Sequence, residues 1–153
     1  MFADDSNLFL FNENIENLLK IVNLELSKLS TWFRANKLSL NVKKTNYIMF
    51  GRKQATRGHP SQTLYIEGVE VAQVNVTKFL GVFIDDILNW KNHINHIKLQ
   101  CSKGFGIMSR VRSFLPRSVM IMLYRTLIYP YLEYCNLAWG AAKPTILNQL
   151  LLI

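Results

Sequence analysis

The strongest constraint on the fold is a long apolar stripe near the start of the chain. Over residues 12–36, Ile15, Leu18, Leu19, Val22, Leu26, Leu29 and Phe33 recur at spacings of three and four, the period that puts side chains on one face of an α-helix. Asn12 or Asn14 suits its N-cap, Glu13 and Glu16 suit the positive end of its dipole, and Asn36 suits a left-handed stop. Such a helix needs a surface to cover, and the flanking segments read as strands. The stripe is therefore core packing rather than a site.

Before the helix, Phe2 and the run Leu8 to Phe11 flank Asp4-Asp5-Ser6-Asn7, which reads as a tight hairpin with Asp4 and Asp5 at its tip. After it, Asn46 to Phe50 is a strand ended by Gly51, and residues 52–62 form a solvated loop. Leu64-Tyr65-Ile66 and Val69-Glu70-Val71 flank Glu67-Gly68, a two-residue hairpin turn. A further hairpin runs from Val74 to Leu80 and back through Gly81 to Ile84. Beyond Trp90 the pattern is helical: Ile94, Ile97, Cys101, Phe105, Met108 and Val111 mark one helix, with Gly104 and Gly106 weakening its continuity. Leu115-Pro116 breaks the chain, a second helix carries Val119 to Leu127 and is kinked or ended at Pro130, and Pro144 opens a last short one. The fold class is α+β, with a mixed part over residues 1–88 and a helical part over residues 89–153.

At 153 residues, half of them apolar, the chain can bury a core and is not a disordered tract. The richest apolar segment, Val119 to Leu137, is interrupted by Arg125, Pro130 and Glu133, which argues against a membrane span. No basic leader precedes an apolar run, so the expectation is an intracellular protein, nuclear or cytoplasmic, and not a secreted one. Cys101 and Cys135 lack a CxxC partner and are expected as buried, reduced thiols. His93, His96 and Cys101 do not complete a four-ligand zinc set.

Charge is unevenly spread. No acidic residue lies between Glu25 and Glu67, or between Asp86 and Glu133, while both stretches are rich in Lys and Arg. Acid-free basic stretches suit a polyanion partner. Adjacent carboxylates such as Asp4 and Asp5 repel each other unless a cation neutralises them, and magnesium is the hard ion that carboxylate oxygens favour.

Phe2-Ala3-Asp4-Asp5 resembles the F/Y-A-D-D box of reverse transcriptases from non-LTR (LINE-type, jockey-like) retrotransposons. Three further blocks resemble that family in the same order. Trp32-Phe33, Asn36-Lys37-Leu38-Ser39-Leu40-Asn41 and Lys44-Thr45 are similar to its next palm motif. Phe79-Leu80-Gly81-Val82, Ile84-Asp85, Leu88, Trp90, His93 and Ile94 are similar to its primer-grip block. Tyr129-Pro130-Tyr131-Leu132, Tyr134-Cys135 and Trp139-Gly140 are similar to a thumb signature.

The resemblance implies a partial palm, an antiparallel sheet with one long helix, over residues 1–88, followed by an all-helical thumb. It implies an RNA template and a DNA primer as partners and Mg2+ held by Asp4 and Asp5. It makes Lys44 the group that neutralises the leaving pyrophosphate, and sets Phe79, Leu80 and Gly81 against the primer backbone. Lys98, Lys103, Arg110 and Arg112 would then contact phosphates. Family members carry another catalytic aspartate on a strand upstream of the box, so this chain by itself is expected not to polymerise. An open sheet edge is expected to favour self-association. The alternative readings are a non-catalytic basic module that binds RNA or DNA, or a translated relic without activity.

Overall fold

The computed structural model describes residues 6–51 and 63–151. By its contacts the chain divides into two units, Met1–Val74 and Asn75–Ile153. The architecture is a mixture of helices and small sheets, as an α+β reading expects.

In the first unit the amphipathic helix α1 spans Ile15–Ala35. The Asn14 side chain accepts the Asn17 N–H at 3.1 Å and Asn12 accepts the Asn14 N–H at 2.9 Å, so both candidate caps are used, one outside the other. The left-handed residue at the other end is Lys37, with φ of 57°, rather than Asn36. Asn36 instead donates its side-chain amide to the Trp32 carbonyl at 2.8 Å, which satisfies a terminal acceptor without a left-handed backbone.

Leu19 from α1 packs with Leu64, Ile66 and Val71 to form the first core, and Ile15, Val22, Leu26, Tyr47 and Met49 close around it. The strands are shorter than the sequence suggests. β1 (Asn46–Tyr47) pairs in parallel with β4 (Ala72–Gln73), and β2 (Tyr65–Ile66) pairs antiparallel with β3 (Val69–Glu70). Glu67 and Gly68, the turn between β2 and β3, both have positive φ, 52° and 78°, the mirror-image turn that suits strand twist. Asn23 on α1 accepts the Tyr65 N–H at 3.1 Å, and Arg34 reaches Glu67 at 2.9 Å. The helix thus holds the hairpin by polar as well as apolar contacts.

The expectation of one antiparallel sheet is corrected here. Among the described residues there are three two-stranded sheets, one of them parallel. Leu8 to Phe11 belongs to none of these three sheets and is exposed throughout. Its expected partner and the tip bearing Asp4 and Asp5 lie outside the described residues.

The second unit opens with β5 (Val76–Phe79) and β6 (Val82–Asp85), an antiparallel hairpin. Helix α2 (Lys91–Val111) and helix α3 (Arg117–Leu127) follow, then short helices α4 (Tyr129–Glu133), α5 (Asn136–Trp139) and α6 (Pro144–Leu147). Pro116 stands just before α3 and Pro144 opens α6, as proline's fixed φ allows. The second core joins Ile94, Ile97 and Cys101 of α2 to Ile128 and Trp139. Cys101 is buried, and burial raises its thiol pKa. Cys135 is exposed, which corrects the expectation of two buried thiols. It sits at φ of 53° in the sharp turn between α4 and α5, where the chain reverses at the surface.

Helix α2 runs unbroken through both glycines, which do different things. A Cβ on Gly104 would lie 2.8 Å from Ile128 Cγ1 and 3.3 Å from the Leu127 carbonyl oxygen, whereas one on Gly106 would meet nothing within 4 Å. Ile128 is fully buried and cannot swing aside. Gly104→Ala should therefore lose ~1–3 kcal/mol to overpacking, against ~1 kcal/mol of helix propensity gained. Gly106→Ala should keep that gain of ~1 kcal/mol whole. Urea midpoints that move the same way for both variants would refute this packing account.

Candidate nucleic-acid interface

The β5–β6 hairpin turns on Leu80 and Gly81, whose φ angles are 46° and 85°, so the two residues expected against a primer occupy an exposed tip. Phe79 stands half-buried beside them. Tyr134 donates its hydroxyl to the Leu80 carbonyl at 2.6 Å, and the indole N–H of Trp139 donates to the Tyr134 carbonyl at 2.8 Å. Two of the sequence blocks, separated by some fifty residues, therefore meet at this tip.

Asp85, at the end of the hairpin, is buried. Its carboxylate accepts the backbone N–H groups of Ile87 at 3.3 Å, Asn89 at 3.0 Å and Trp90 at 2.9 Å. Those bonds draw the chain through a tight loop in which Leu88 and Trp90 both have positive φ, 53° and 67°. The loop delivers α2 in its direction of travel. A carboxylate so engaged has little capacity left for a metal ion, which separates Asp85 from any catalytic pair.

His93, one turn into α2, is buried with its Nδ1 accepting the Phe83 N–H at 3.4 Å, and its Nε2 has no hydrogen-bond partner. Its ring packs edge-on to Trp139 at 6.0 Å, and the His96 ring lies 5.0 Å from that of Phe83. Among the described residues no three His, Cys, Asp or Glu side chains gather as metal ligands.

Burial, and then the neighbouring charge of His96, lower the pKa of His93. The unfolded histidine takes a proton near pH ~6.5 and the folded one only at lower pH. Stability should be full above that value and fall as acid is added. In His93→Gln, the drop in melting temperature on acidification should shrink. An unchanged acid slope in that variant would refute the assignment.

The cationic candidates divide by position. Lys103 and Arg110 are exposed on the face of α2 turned away from the core, together with Leu99, Gly106 and Ile107. Residues at these spacings stack over successive turns, so the two cations form a short ridge about two turns long. Lys98 is half-buried on the flank, and Arg112 lies just past the helix end. Lys44 is exposed at the end of a 3-10 turn, Val42–Lys44, leading into β1. Asp4 and Asp5 lie outside the described residues.

The residues that sequence reasoning missed are those that position others: Asp85, Tyr134 and Asn23. Asp85 carried one legible signal, since an Asp shortly before a tight loop commonly accepts N–H groups from the next few residues. Tyr134 stands in the block that resembles the thumb signature, but its tie to Leu80 carried no local signal, because that partner is remote in sequence.

Over 119 residues, 75% of its length, the chain is 30% identical to a probable RNA-directed DNA polymerase from transposon X-element of Drosophila melanogaster. Over 144 residues, 90% of its length, it is 22% identical to a retrovirus-related Pol polyprotein from type-1 retrotransposable element R1 2 of Nasonia vitripennis. The chain is a reverse-transcriptase-like protein. The first relative is by name an RNA-directed DNA polymerase and the second a Pol polyprotein, both of transposable elements, and the chain matches a part of each. The matched regions cover 13% of the first relative and 35% of the second. No family model and no solved structure matches the chain.

Proposed function

We propose that these residues form part of the palm and the thumb of a non-LTR reverse transcriptase, with palm over residues 1–88 and thumb over residues 89–153. The observation that carries the reading is the tight β5–β6 hairpin, whose exposed Leu80–Gly81 tip is tied to the helical part by Tyr134. A primer-supporting hairpin needs such a fixed tip. The compact units divide earlier, after Val74, so the hairpin packs with the helices while serving the palm.

In this reading Leu80 and Gly81 press on the primer backbone, with Phe79 behind them. Lys98, Lys103, Arg110 and Arg112 hold phosphates of the template–primer hybrid without reading sequence. Lys44 gives a proton to, or neutralises, the leaving pyrophosphate, which its exposed and flexible ammonium suits. Asp4 and Asp5 offer hard oxygen donors of the kind magnesium takes, and magnesium, when bound, would supply Lewis-acid assistance to phosphoryl transfer. An RNA-copying enzyme of this kind works inside the cell, where no membrane-crossing helix is required. Among the described residues no helix is long and apolar enough to cross a membrane. An open sheet edge, if the chain keeps one, favours self-association, which sedimentation would detect as dimers.

The test is titration of the 153-residue chain with a labelled RNA–DNA hybrid at several salt concentrations, followed by primer extension. Binding should weaken steeply with salt. Primer extension tests the expectation that the chain by itself does not polymerise. Salt-insensitive binding would overturn the phosphate-grip reading, and template-dependent synthesis would overturn the expected inactivity.

The exposed Lys103–Arg110 ridge also supports a second reading, a basic binding module without catalysis. In that case Asp4→Ala leaves affinity unchanged with or without magnesium. A metal-dependent polymerase piece loses its magnesium response.

A further inference from the structure

We propose that Tyr134 is the positioning residue of the hairpin tip: through its hydroxyl on the Leu80 carbonyl it fixes where Leu80 and Gly81 meet a primer end. The proposal rests on the primer-support reading of the hairpin, and it assigns that role to a residue outside the hairpin itself.

The tip is unusual in its chemistry. The two-residue turn between β5 and β6 requires positive φ at both positions, and such turns favour Asn, Asp and Gly. Leu80 accepts that backbone at φ of 46° with an exposed side chain, so neither turn preference nor burial accounts for a leucine there. A left-handed, exposed, branched residue persists when its surroundings hold it.

Tyr134 supplies that hold. Its hydroxyl makes a short bond of 2.6 Å to Leu80, and its ring lies 3.5 Å from where a Cβ on Gly81 would stand. The ring therefore backs the turn while the hydroxyl pins it.

Tyr134 is itself anchored. Its carbonyl takes the indole N–H of Trp139 at 2.8 Å, and Trp139 is buried in the core with Ile94 and Ile97. The Trp139 ring meets His93, and His93 accepts the Phe83 N–H on the returning strand. The circuit closes on the hairpin, pinning it at the tip through Tyr134 and at the strand through His93. The tip then moves with the helical core rather than swaying on its own, as preorganised positioning requires.

The test uses Tyr134→Phe, which keeps the ring and removes one oxygen, in the whole chain. Two readouts are taken: amide hydrogen exchange at Leu80 and Gly81, and affinity for an RNA–DNA hybrid with a recessed primer end against a blunt hybrid of equal length. The wild-type chain should prefer the recessed end. Tyr134→Phe should lose that preference by about fivefold, the worth of one hydrogen bond, and exchange its tip amides correspondingly faster. Affinity for the blunt hybrid should hold. A variant that merely unfolded would lose affinity for both hybrids alike.

Trp139→Phe, which removes the indole donor behind Tyr134 together with part of a ring buried in the core, should move both readouts in the same direction and lower the overall stability as well. Unchanged exchange and an unchanged preference in Tyr134→Phe overturn the proposal alone. A wild-type chain with no preference for the recessed end overturns the primer-support reading, and the positioning role with it, even where exchange at the tip responds.

Discussion

Asp85→Ala should lower the stability of the hairpin–helix unit by roughly 3–5 kcal/mol, since each hydrogen bond to a charged group is worth ~1.5–3 kcal/mol and losses within one network do not simply add. The carboxylate is buried, and three backbone N–H groups depend on it. Leu88 and Trp90 hold left-handed backbones in the loop it organises, a conformation costing ~1–2 kcal/mol for each non-glycine residue. With the carboxylate gone, only the Leu88 N–H bond to the residue-85 carbonyl and the Lys91 N–H bond to the Asn89 side chain are left to offset that strain. The loop should relax and carry the first turn of α2 with it, where His93 and Ile94 are buried.

Asp85→Asn offers a graded comparison. Its amide retains one acceptor oxygen but turns an N–H₂ toward backbone donors, so it should recover part of the loss. Denaturant melts followed by circular dichroism and tryptophan emission would measure both variants. An Asp85→Ala midpoint close to wild type would show that water or a shifted loop satisfies the three donors.

Asp85 also shows where sequence reading stopped. Local patterns were legible: the stripe of α1, its asparagine caps, the Glu67–Gly68 turn, the hairpin through Leu80–Gly81 and the proline-bounded helices all follow from neighbours a few residues apart. What failed depended on partners elsewhere. Gly104 and Gly106 look equivalent in sequence and weaken a helix equally by propensity, yet only Gly104 is packed against Ile128. The tie from Tyr134 to Leu80 spans more than fifty residues, beyond the reach of any periodicity. Of the candidate site, the sequence pointed to the hairpin tip and the cations, and folding decided which cations share a face.

That division among the cations yields the other large effect. Removing Lys98, Lys103, Arg110 and Arg112 together should flatten the salt dependence of hybrid binding, because every phosphate left without its cation reduces the logarithmic slope by ~0.9. At ~0.1 M salt that corresponds to about eightfold in affinity per phosphate, so the four cations together should account for at most about 4 × 10³-fold. The four should not contribute equally. Lys103 and Arg110 stand on one exposed ridge of α2 with open space over Gly106 between them, and a phosphate backbone can approach both at once. Lys98 is half-buried on the flank, and its ammonium must extend around the helix to reach the same strand at a cost in side-chain entropy. The pair Lys103→Ala with Arg110→Ala should therefore reduce both affinity and salt slope more than the pair Lys98→Ala with Arg112→Ala. Equal losses from the two pairs would mean that the hybrid is held by diffuse charge over the whole helical part. In that case the outer ridge of α2 has no special place in the grip.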